Sequence, residues 1–401
     1  ARLGKVAADA GARAWLVGGP VRDLILGEHA PDTDLAIEGD VAAVAEAIAR
    51  EVGGQVSKST EFLTATVTSA GGEEIDIAHA RTERYDSPGA LPVVAAATLF
   101  EDLERRDFTI NAMALALSPE RFGELTDPHG GREDLERGLL QVLHEGSFAD
   151  DPTRMLRAVR FRLRLGLRVE ARTAELLARA AAEKRLASLS GARLRNELRR
   201  IFAVAAAQAL GALQEDGLPA AMDLPQATNL SVERAGRVSC AGMALGIELD
   251  GATAMVACLG LYAGGAGVEP EELGERLMLD GGERAGLTQA CRLSEQPPEA
   301  LQGDGPDSDM FFALEGTGAA GALACWAGAN SEERERLERW WLEVRGMVAD
   351  VTGEDLISAG FEAGPEFAGA LRAALAAKIN EGADRAAQMR VATDALSRTE
   401  G

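Results

Sequence analysis

Over the first 140 residues, short apolar runs of strand character alternate with stretches of helical period. AWLVGG (14–19) predicts a strand that ends in a tight turn, with a helix opening near Val21. DLAIEGD (34–40) predicts a second strand, and TATVTSAGGEEIDIAHA (64–80) a hairpin turning around residues 70–73. VAAVAEAIAREVG (41–53), rich in alanine and closed by glycine, predicts a helix. From about residue 150 onward only helical periodicity appears, broken by Gly and Pro loops. GVEPEELGE (267–275) and SEQPPEALQGDGPDSD (294–309) read as surface loops. The expected class is α+β, a mixed-sheet head followed by an all-α remainder.

Composition adds limits. A chain of 401 residues is too long for one ordinary domain, so two to four are expected. Its 46% hydrophobic content suffices for folded cores. No run of eighteen apolar residues occurs, so no transmembrane helix is expected. The start, ARLGKVAADA, shows neither an initiator Met nor a signal-peptide pattern and reads as trimmed. Cys240, Cys258, Cys291 and Cys325 lie far apart without a CxxC, which argues against zinc and a disulfide frame and for the cytoplasm. His29, His79, His129 and His144 are scattered and read as structural or exposed. Lysine is scarce, 4 against 37 Arg, which looks like coding bias.

Charge changes the picture more. The formal net charge is −23, yet it is unevenly spread. Residues 1–150 hold 13 Lys/Arg and 27 Asp/Glu (−14), residues 151–200 hold 14 and 5 (+9), and residues 201–401 hold 14 and 32 (−18). One basic island therefore sits inside an acidic chain, and local sign decides where an anion binds.

Three features carry candidate chemistry. In LVGGPVRDLILG (16–27), Gly18 and Gly19 let backbone N–H groups approach a phosphate, and Arg22 could pair with it; taken by itself the stretch reads first as a tight strand–helix turn, and no P-loop follows. In DTD (32–34), residues two apart in an extended segment aim Asp32 and Asp34 the same way, a pair suited to Mg²⁺. Asp76 faces away from its apolar neighbours Ile75 and Ile77, as a third ligand or as a solvent-face residue. If 152–165 is helical, Arg154, Arg157, Arg160 and Arg164 line one side and Leu156, Val159 and Leu163 another. Without the other motifs that side would be an ordinary solvated basic face.

The ordered set LVGGPVRDLILG…DTDLAI, RRDFTINAMA and DDPTRMLRAVRF resembles the class II tRNA nucleotidyltransferases (CCA-adding enzymes) and their relatives, the bacterial poly(A) polymerases. ARTERYDSPGALPVV (80–94) is similar to the segment joining that family's second carboxylate strand to its second motif, and VTGEDLISAGFEAGPEFAGAL (351–371) to its tail pattern. The resemblance implies a nucleotidyltransferase head (1–138), an α-helical neck (139–204) and an α-helical body and tail (205–401) that binds tRNA. It implies transfer of CMP and/or AMP from CTP/ATP to the 3′-end of tRNA, with release of pyrophosphate and a two-metal Mg²⁺ site. The alternatives are an enzyme adding only CC or only A, a poly(A) polymerase, and a non-catalytic nucleotide- or RNA-binding protein.

Residue by residue, Asp32 and Asp34 match the family's metal pair, with Asp76 as the third carboxylate. Gly19 and Arg22, beside Gly18, match nucleotide-binding positions; Arg106 matches a nucleotide contact and Asp107 the ribose contact. Asp151 and Arg154 match the base-reading pair, and Arg157 and Arg160 the phosphate-side arginines. An acceptor beside a donor fits cytosine and adenine and rejects uracil and guanine. Two departures stand out: Asp150 replaces the usual Glu, and Ala192 in SGARLRNEL stands where Glu is expected, which bears on neck packing and the substrate repertoire. Because the rest of the chain is acidic, RNA would touch a limited set of arginines, with Arg193, Arg195, Arg199 and Arg200 as candidates. The segment of about twenty residues after Ala80, with Pro88, Gly89 and Pro92, resembles the flexible element that accompanies A addition in the family and is shortened in enzymes that stop at CC. It predicts that the terminal A is added.

Overall fold

The computed structural model describes residues 1–29, 33–59, 63–84 and 93–399. Asp32 lies outside the described residues, as do Pro88, Gly89 and Pro92. The chain divides into two compact units, 1–197 with 213–224, and 198–212 with 225–401.

The first unit is built on a mixed sheet. In chain order its N-terminal elements are α1 (Arg2–Asp9), β1 (Arg13–Val17), α2 (Gly19–Ile25), β2 (Thr33–Glu38), α3 (Val41–Val52), β3 (Gln55–Ser59), β4 (Thr64–Thr68) and β5 (Glu74–His79). There follow β6 (Arg81–Arg84), β7 (Val93–Ala96), α4 (Leu99–Glu104), β8 (Ala114–Ala116) and β9 (Leu125–Thr126). The seven strands run in the order β3-β4-β5-β2-β1-β8-β9, with β2 and β5 parallel and the other neighbours antiparallel. β6 and β7 pair separately.

Alternation decides the two faces of the sheet. Leu35, Ile37, Ile75, Ile77 and Val67 point to one side, where Val44, Ala45 and Ile48 of α3 cover them. Asp40 caps α3 by accepting from the amides of Ala42 (2.9 Å) and Ala43 (3.1 Å), and Gly53 ends it with φ 67°. The opposite face carries Ala36 and Val17 packed with Leu99 and Leu103 of α4, and it is the side on which the polar residues of β2 and β5 emerge.

Beyond the sheet come α5 (Gly131–Glu136), β10 (Leu139–Leu140), α6 (Ser147–Asp150), α7 (Thr153–Leu165), β11 (Arg168–Val169), α8 (Ala171–Ala182) and α9 (Gly191–Glu215), the last bent at Ala205. The basic helix expected over 152–165 is α7. The parallel pair β10–β11 corrects the expectation of helix alone after residue 150; two-residue strands leave no periodic trace.

The second unit is helical. Its centre is the helix Gly251–Ala266, buried on every side from Ala254 to Ala263, against Gly281–Glu295 and Ala319–Gly328. A Cβ at Gly260 would lie 2.4 Å from the Cβ of Ala290, so only glycine permits this approach. Burial pushes the thiols of Cys258 and Cys325 up to about 12, which leaves them as small apolar residues. GVEPEELGE is not a loop: Pro270–Arg276 is a helix with Pro at its first position and Glu271 and Glu272 in its first turn. No helix among the described residues is long and apolar enough to cross a membrane.

Candidate active site

The first contribution comes from sheet register. Asp34 on β2 lies directly beside Asp76 on the parallel strand β5, so both carboxylates leave the same face. Thr66, opposite Asp76 on β4, donates its hydroxyl to Asp76 Oδ1 (2.6 Å). These residues line a cleft of about 320 Å³ together with Val17, Asp102, Arg105 and Arg106. Two like charges side by side on a sheet repel, so the pair favours a cation. Among the described residues no cluster of three or more metal-binding side chains forms. Two carboxylates at a cleft that also holds arginines fit Mg²⁺, which takes one or two carboxylates and completes its shell with water and phosphate oxygens.

The cleft's other wall is α4 and the turn after it. Thr98 caps α4 with Glu101 in a reciprocal capping box, which fixes the helix start. Four residues on, Asp102 is 1% exposed and holds both arginines of the RRD motif. Arg105 Nη2 donates to Asp102 Oδ1 (2.6 Å) and Arg106 Nη2 to Oδ2 (2.8 Å). Burial would raise the Asp102 carboxyl, but Arg106 and Arg105 together hold it below its ordinary range. Gly18, at φ 72°, lets Arg106 come close: a Cβ there would sit 2.7 Å from Arg106 Nη1. The Gly18 amide donates to Met113 O (3.2 Å), so this N–H serves the protein's own backbone. Gly19 opens α2, two residues earlier than the pattern suggested.

Asp107 is buried against α7. Its Oδ1 accepts from the Phe108 amide (2.8 Å) and Asn111 Nδ2 (3.0 Å), and its Oδ2 from Arg157 Nε (2.7 Å) and Nη2. Burial alone would raise this carboxyl; Arg157, with Asn111 and the Phe108 amide, brings it down to about 2. The same pair keeps Arg157 raised against the opposing effect of its burial.

The expected row of α7 guanidiniums is taken up by partners of the protein itself. Arg157 holds Asp107, Arg160 faces Glu197 (3.8 Å), and Arg164 Nη2 donates to Asp23 Oδ2 (3.0 Å). Arg154 is 5% exposed, giving Nη1 to Ser147 Oγ (2.7 Å) and Nη2 to the Arg105 carbonyl (2.6 Å). Asp151 Oδ1 accepts from the Thr153 amide (3.0 Å), Thr153 Oγ1 (2.7 Å) and Arg193 Nη2 (2.8 Å). Arg22 departs most from expectation. It is 2% exposed, with Nη1 on Asn111 Oδ1 (2.6 Å) and Nε on Asp23 Oδ1 (2.8 Å), so it presents no surface to solvent.

The structure thus joins Asp34, Asp76 and Arg106 at one cleft and places Asp107 and Arg157 together behind it. Arg199 pairs with Glu283 (2.7 Å) in the second unit, and Arg193 with Asp151 in the first. Sequence reasoning missed Asp23, Asp102, Asn111 and Thr66. Asp23 and Asn111 sit inside quoted motifs, and Asp102 lies four residues before Arg106, the helical spacing of an ion pair. Thr66 left no signal, because only strand register brings it to Asp76.

Against known proteins, residues 14–141 match the poly A polymerase head domain. The A-adding tRNA nucleotidyltransferase of Geobacter sulfurreducens is 34% identical over 97% of this chain and 46% of its own length. The alignment covers about half of that relative's own length. A CCA-adding enzyme in an apo form superposes with TM-score 0.85 at 30% identity, over 99% of this chain and 94% of the other. The Thermotoga maritima CCA-adding enzyme in complex with tRNA gives 0.81 at 29%, over 99% and 94%. A mixed-sheet head with a helical remainder is the architecture of the class of solved tRNA nucleotidyltransferases that the chain superposes on. Within that class, the chain belongs to the family of the CCA-adding tRNA nucleotidyltransferases and their poly(A) polymerase relatives.

Proposed function

We propose that this protein transfers CMP and/or AMP from CTP or ATP to the 3′-end of tRNA and releases pyrophosphate, with addition of the terminal A among its activities. The observation that carries the reading is the register of Asp34 and Asp76 on the floor of a cleft walled by Arg105 and Arg106. A non-catalytic sensor would have no need of this pair. The A-adding relative aligned over 97% of the chain supports the terminal-A component.

Asp34, Asp76 and Asp32, which precedes Asp34 by two positions, would hold Mg²⁺. When bound, that ion neutralises the triphosphate and makes the attacking 3′-hydroxyl more acidic. Arg106, held by Asp102, supplies fixed positive charge at the cleft wall. Asp107, ionised throughout the physiological range, accepts from a ribose 2′-hydroxyl and so favours NTP over dNTP. Asp151 Oδ2 accepts from the exocyclic amino group of C or A, and Arg154 donates to the ring nitrogen. A guanidinium has five N–H groups, and two of those of Arg154 are used among the described residues. Gly18 and Gly19 shape the turn beneath the triphosphate, and Arg160 stands behind Arg157 on α7. Head, neck and body divide at 1–138, 139–204 and 205–401, with the neck reading the base and the body and tail holding tRNA. Arg193, Arg195, Arg199 and Arg200 are the tRNA-facing candidates in that scheme. Substrates of this kind support a cytoplasmic setting.

The test is incubation with tRNA lacking CCA, ending in C and ending in CC, each with CTP, ATP, UTP and GTP in Mg²⁺. AMP addition to the CC end, with UTP and GTP refused, is expected. Efficient CMP addition with no AMP addition to the CC end would defeat the terminal-A component, and long A tracts on unrelated RNA would favour a poly(A) polymerase.

A further inference from the structure

A ring of polar side chains, buried at Arg22, Asp23, Asp107 and Asn111 and closed through α7, runs through the first unit, and the reaction described above uses only part of it. Arg157 of α7 grips Asp107 Oδ2. Asp107 Oδ1 accepts from Asn111 Nδ2 (3.0 Å), and Asn111 Oδ1 in turn accepts from Arg22 Nη1 (2.6 Å). Arg22 binds Asp23 Oδ1 through Nε (2.8 Å) and Nη2 (2.7 Å), and Asp23 Oδ2 accepts from Arg164 Nη2 (3.0 Å). Arg164 returns the ring to α7, two turns beyond Arg157.

Phe161 lies between those two arginines on the same helix face. The guanidinium carbons of Arg22, Arg157 and Arg160 stand 5.2, 5.5 and 5.0 Å from its ring centroid, and Phe108 meets it edge-on at 5.8 Å. Arg22, Asp23, Asp107 and Asn111 are between 2% and 6% exposed. Each charge in the ring is met by an opposite one, and the amide of Asn111 serves as an adaptor: its N–H side faces the carboxylate and its oxygen faces the guanidinium. No other residue of that size offers both.

We propose that Arg22, Asp23, Asn111 and Arg164 are positioning residues that fix the rotamer of Asp107 and thereby set discrimination between ribose and deoxyribose. The inference rests on the reading of Asp107 as the ribose contact. Two donors on Oδ1 and two from Arg157 on Oδ2 leave one geometry for the carboxylate, with Oδ2 as the oxygen that a 2′-hydroxyl would share with Arg157. Arg22 acts from behind the pocket, by orienting Asn111. A lysine there could not span both Asn111 and Asp23, because one ammonium lacks the planar fork.

The experiment measures kcat/KM for the nucleotide that the enzyme adds and for its 2′-deoxy form, on the same tRNA, together with thermal midpoints. Asn111→Ala removes both links and Asn111→Asp keeps Arg22 paired while losing the donor to Asp107. Both should lower the ribo/deoxy ratio by roughly three- to tenfold, the effect of one fixed hydrogen bond. Arg22→Lys should lower it less. A structural role alone would lower the thermal midpoint and leave the ratio intact. Asp107→Ala separates the two levels: an unchanged ratio in that variant overturns the ribose reading itself. A collapsed ratio in Asp107→Ala beside wild-type ratios in both Asn111 variants overturns the positioning role.

Discussion

Asp76 and Asp107 are the same residue in opposite settings. Asp76 is exposed on the cleft floor, beside Asp34 and under a threonine hydroxyl. Asp107 is 6% exposed and locked between Arg157, Asn111 and a backbone amide. A carboxylate set beside another at a water-filled cleft is stable only while solvent or a cation shares its charge. A carboxylate sealed among arginines has its compensation built in, which is why its pKa falls to about 2 despite burial. The first arrangement suits a group that binds something from solution, and the second suits one that holds other groups still. Asp102, with two arginines on it, belongs with the second kind.

The largest expected effect tests the first setting. Asp34→Asn should reduce nucleotide addition by more than about a hundredfold, since a metal-centred charge interaction is worth several kcal/mol. Asp32→Asn is expected to behave alike. The thermal midpoint of Asp34→Asn should hold or rise, because a repulsion with Asp76 is relieved. Turnover near wild type in Mg²⁺ would remove the metal assignment, and a collapse in stability would place Asp34 with the scaffold.

Arg154→Ala should come next. Losing the ring-nitrogen donor is expected to weaken choice of C and A over U and G by roughly tenfold to a hundredfold, about 1–3 kcal/mol. It also strands the Ser147 hydroxyl and the Arg105 carbonyl, so a lower thermal midpoint is expected. If discrimination stays sharp while stability falls, Arg154 is scaffold and base reading lies elsewhere.

Which residues fall in which setting was only partly legible beforehand. The strands around Asp34 and Asp76, the helix α3 and the basic helix α7 follow from periodicity, since each buries one face. Asp76 could be read as ligand or as surface residue until the parallel pairing of β2 with β5 put it beside Asp34; long-range register is not written in local pattern. The arginines of α7 were legible as a row, but not their direction. A row of charge at helical spacing looks like a solvated face unless the acids that receive it, Asp23, Asp107 and Glu197, are known to lie opposite. Those acids are spread through the sequence, and only folding gathers them.

The acid limb of stability offers a milder probe of the second setting. Asp107 titrates near 2 when folded and near 3.8 when free, so its contribution is fully present above about pH 4 and is lost as pH falls toward 2. The size is about 2 kcal/mol. Urea unfolding at pH 6, 4 and 3 should show Asp107→Asn losing less stability than wild type over that span. Parallel losses would mean that the Arg157 pair is not what holds this carboxyl down.

The smallest effect is expected where an ion pair has good geometry but no burial. Arg121 donates to Glu124 through Nε (2.5 Å) and Nη2 (2.6 Å), a two-pronged contact like that of Arg157 on Asp107, yet the side chains are 59% and 52% exposed. The hydrogen bond from Arg121 lowers the Glu124 carboxyl. Water and salt screen it, and ordering two long side chains costs entropy that offsets the attraction. Arg121→Ala should therefore shift the thermal midpoint by no more than about 1 °C. Arg157→Ala, which leaves Asp107 buried without its cation, should shift it several times further. Differential scanning calorimetry of the two variants at one ionic strength decides the matter. Equal shifts would show that bond geometry, and not burial, separates the two kinds of charged site, and the distinction between Asp76 and Asp107 would have to be redrawn on that basis.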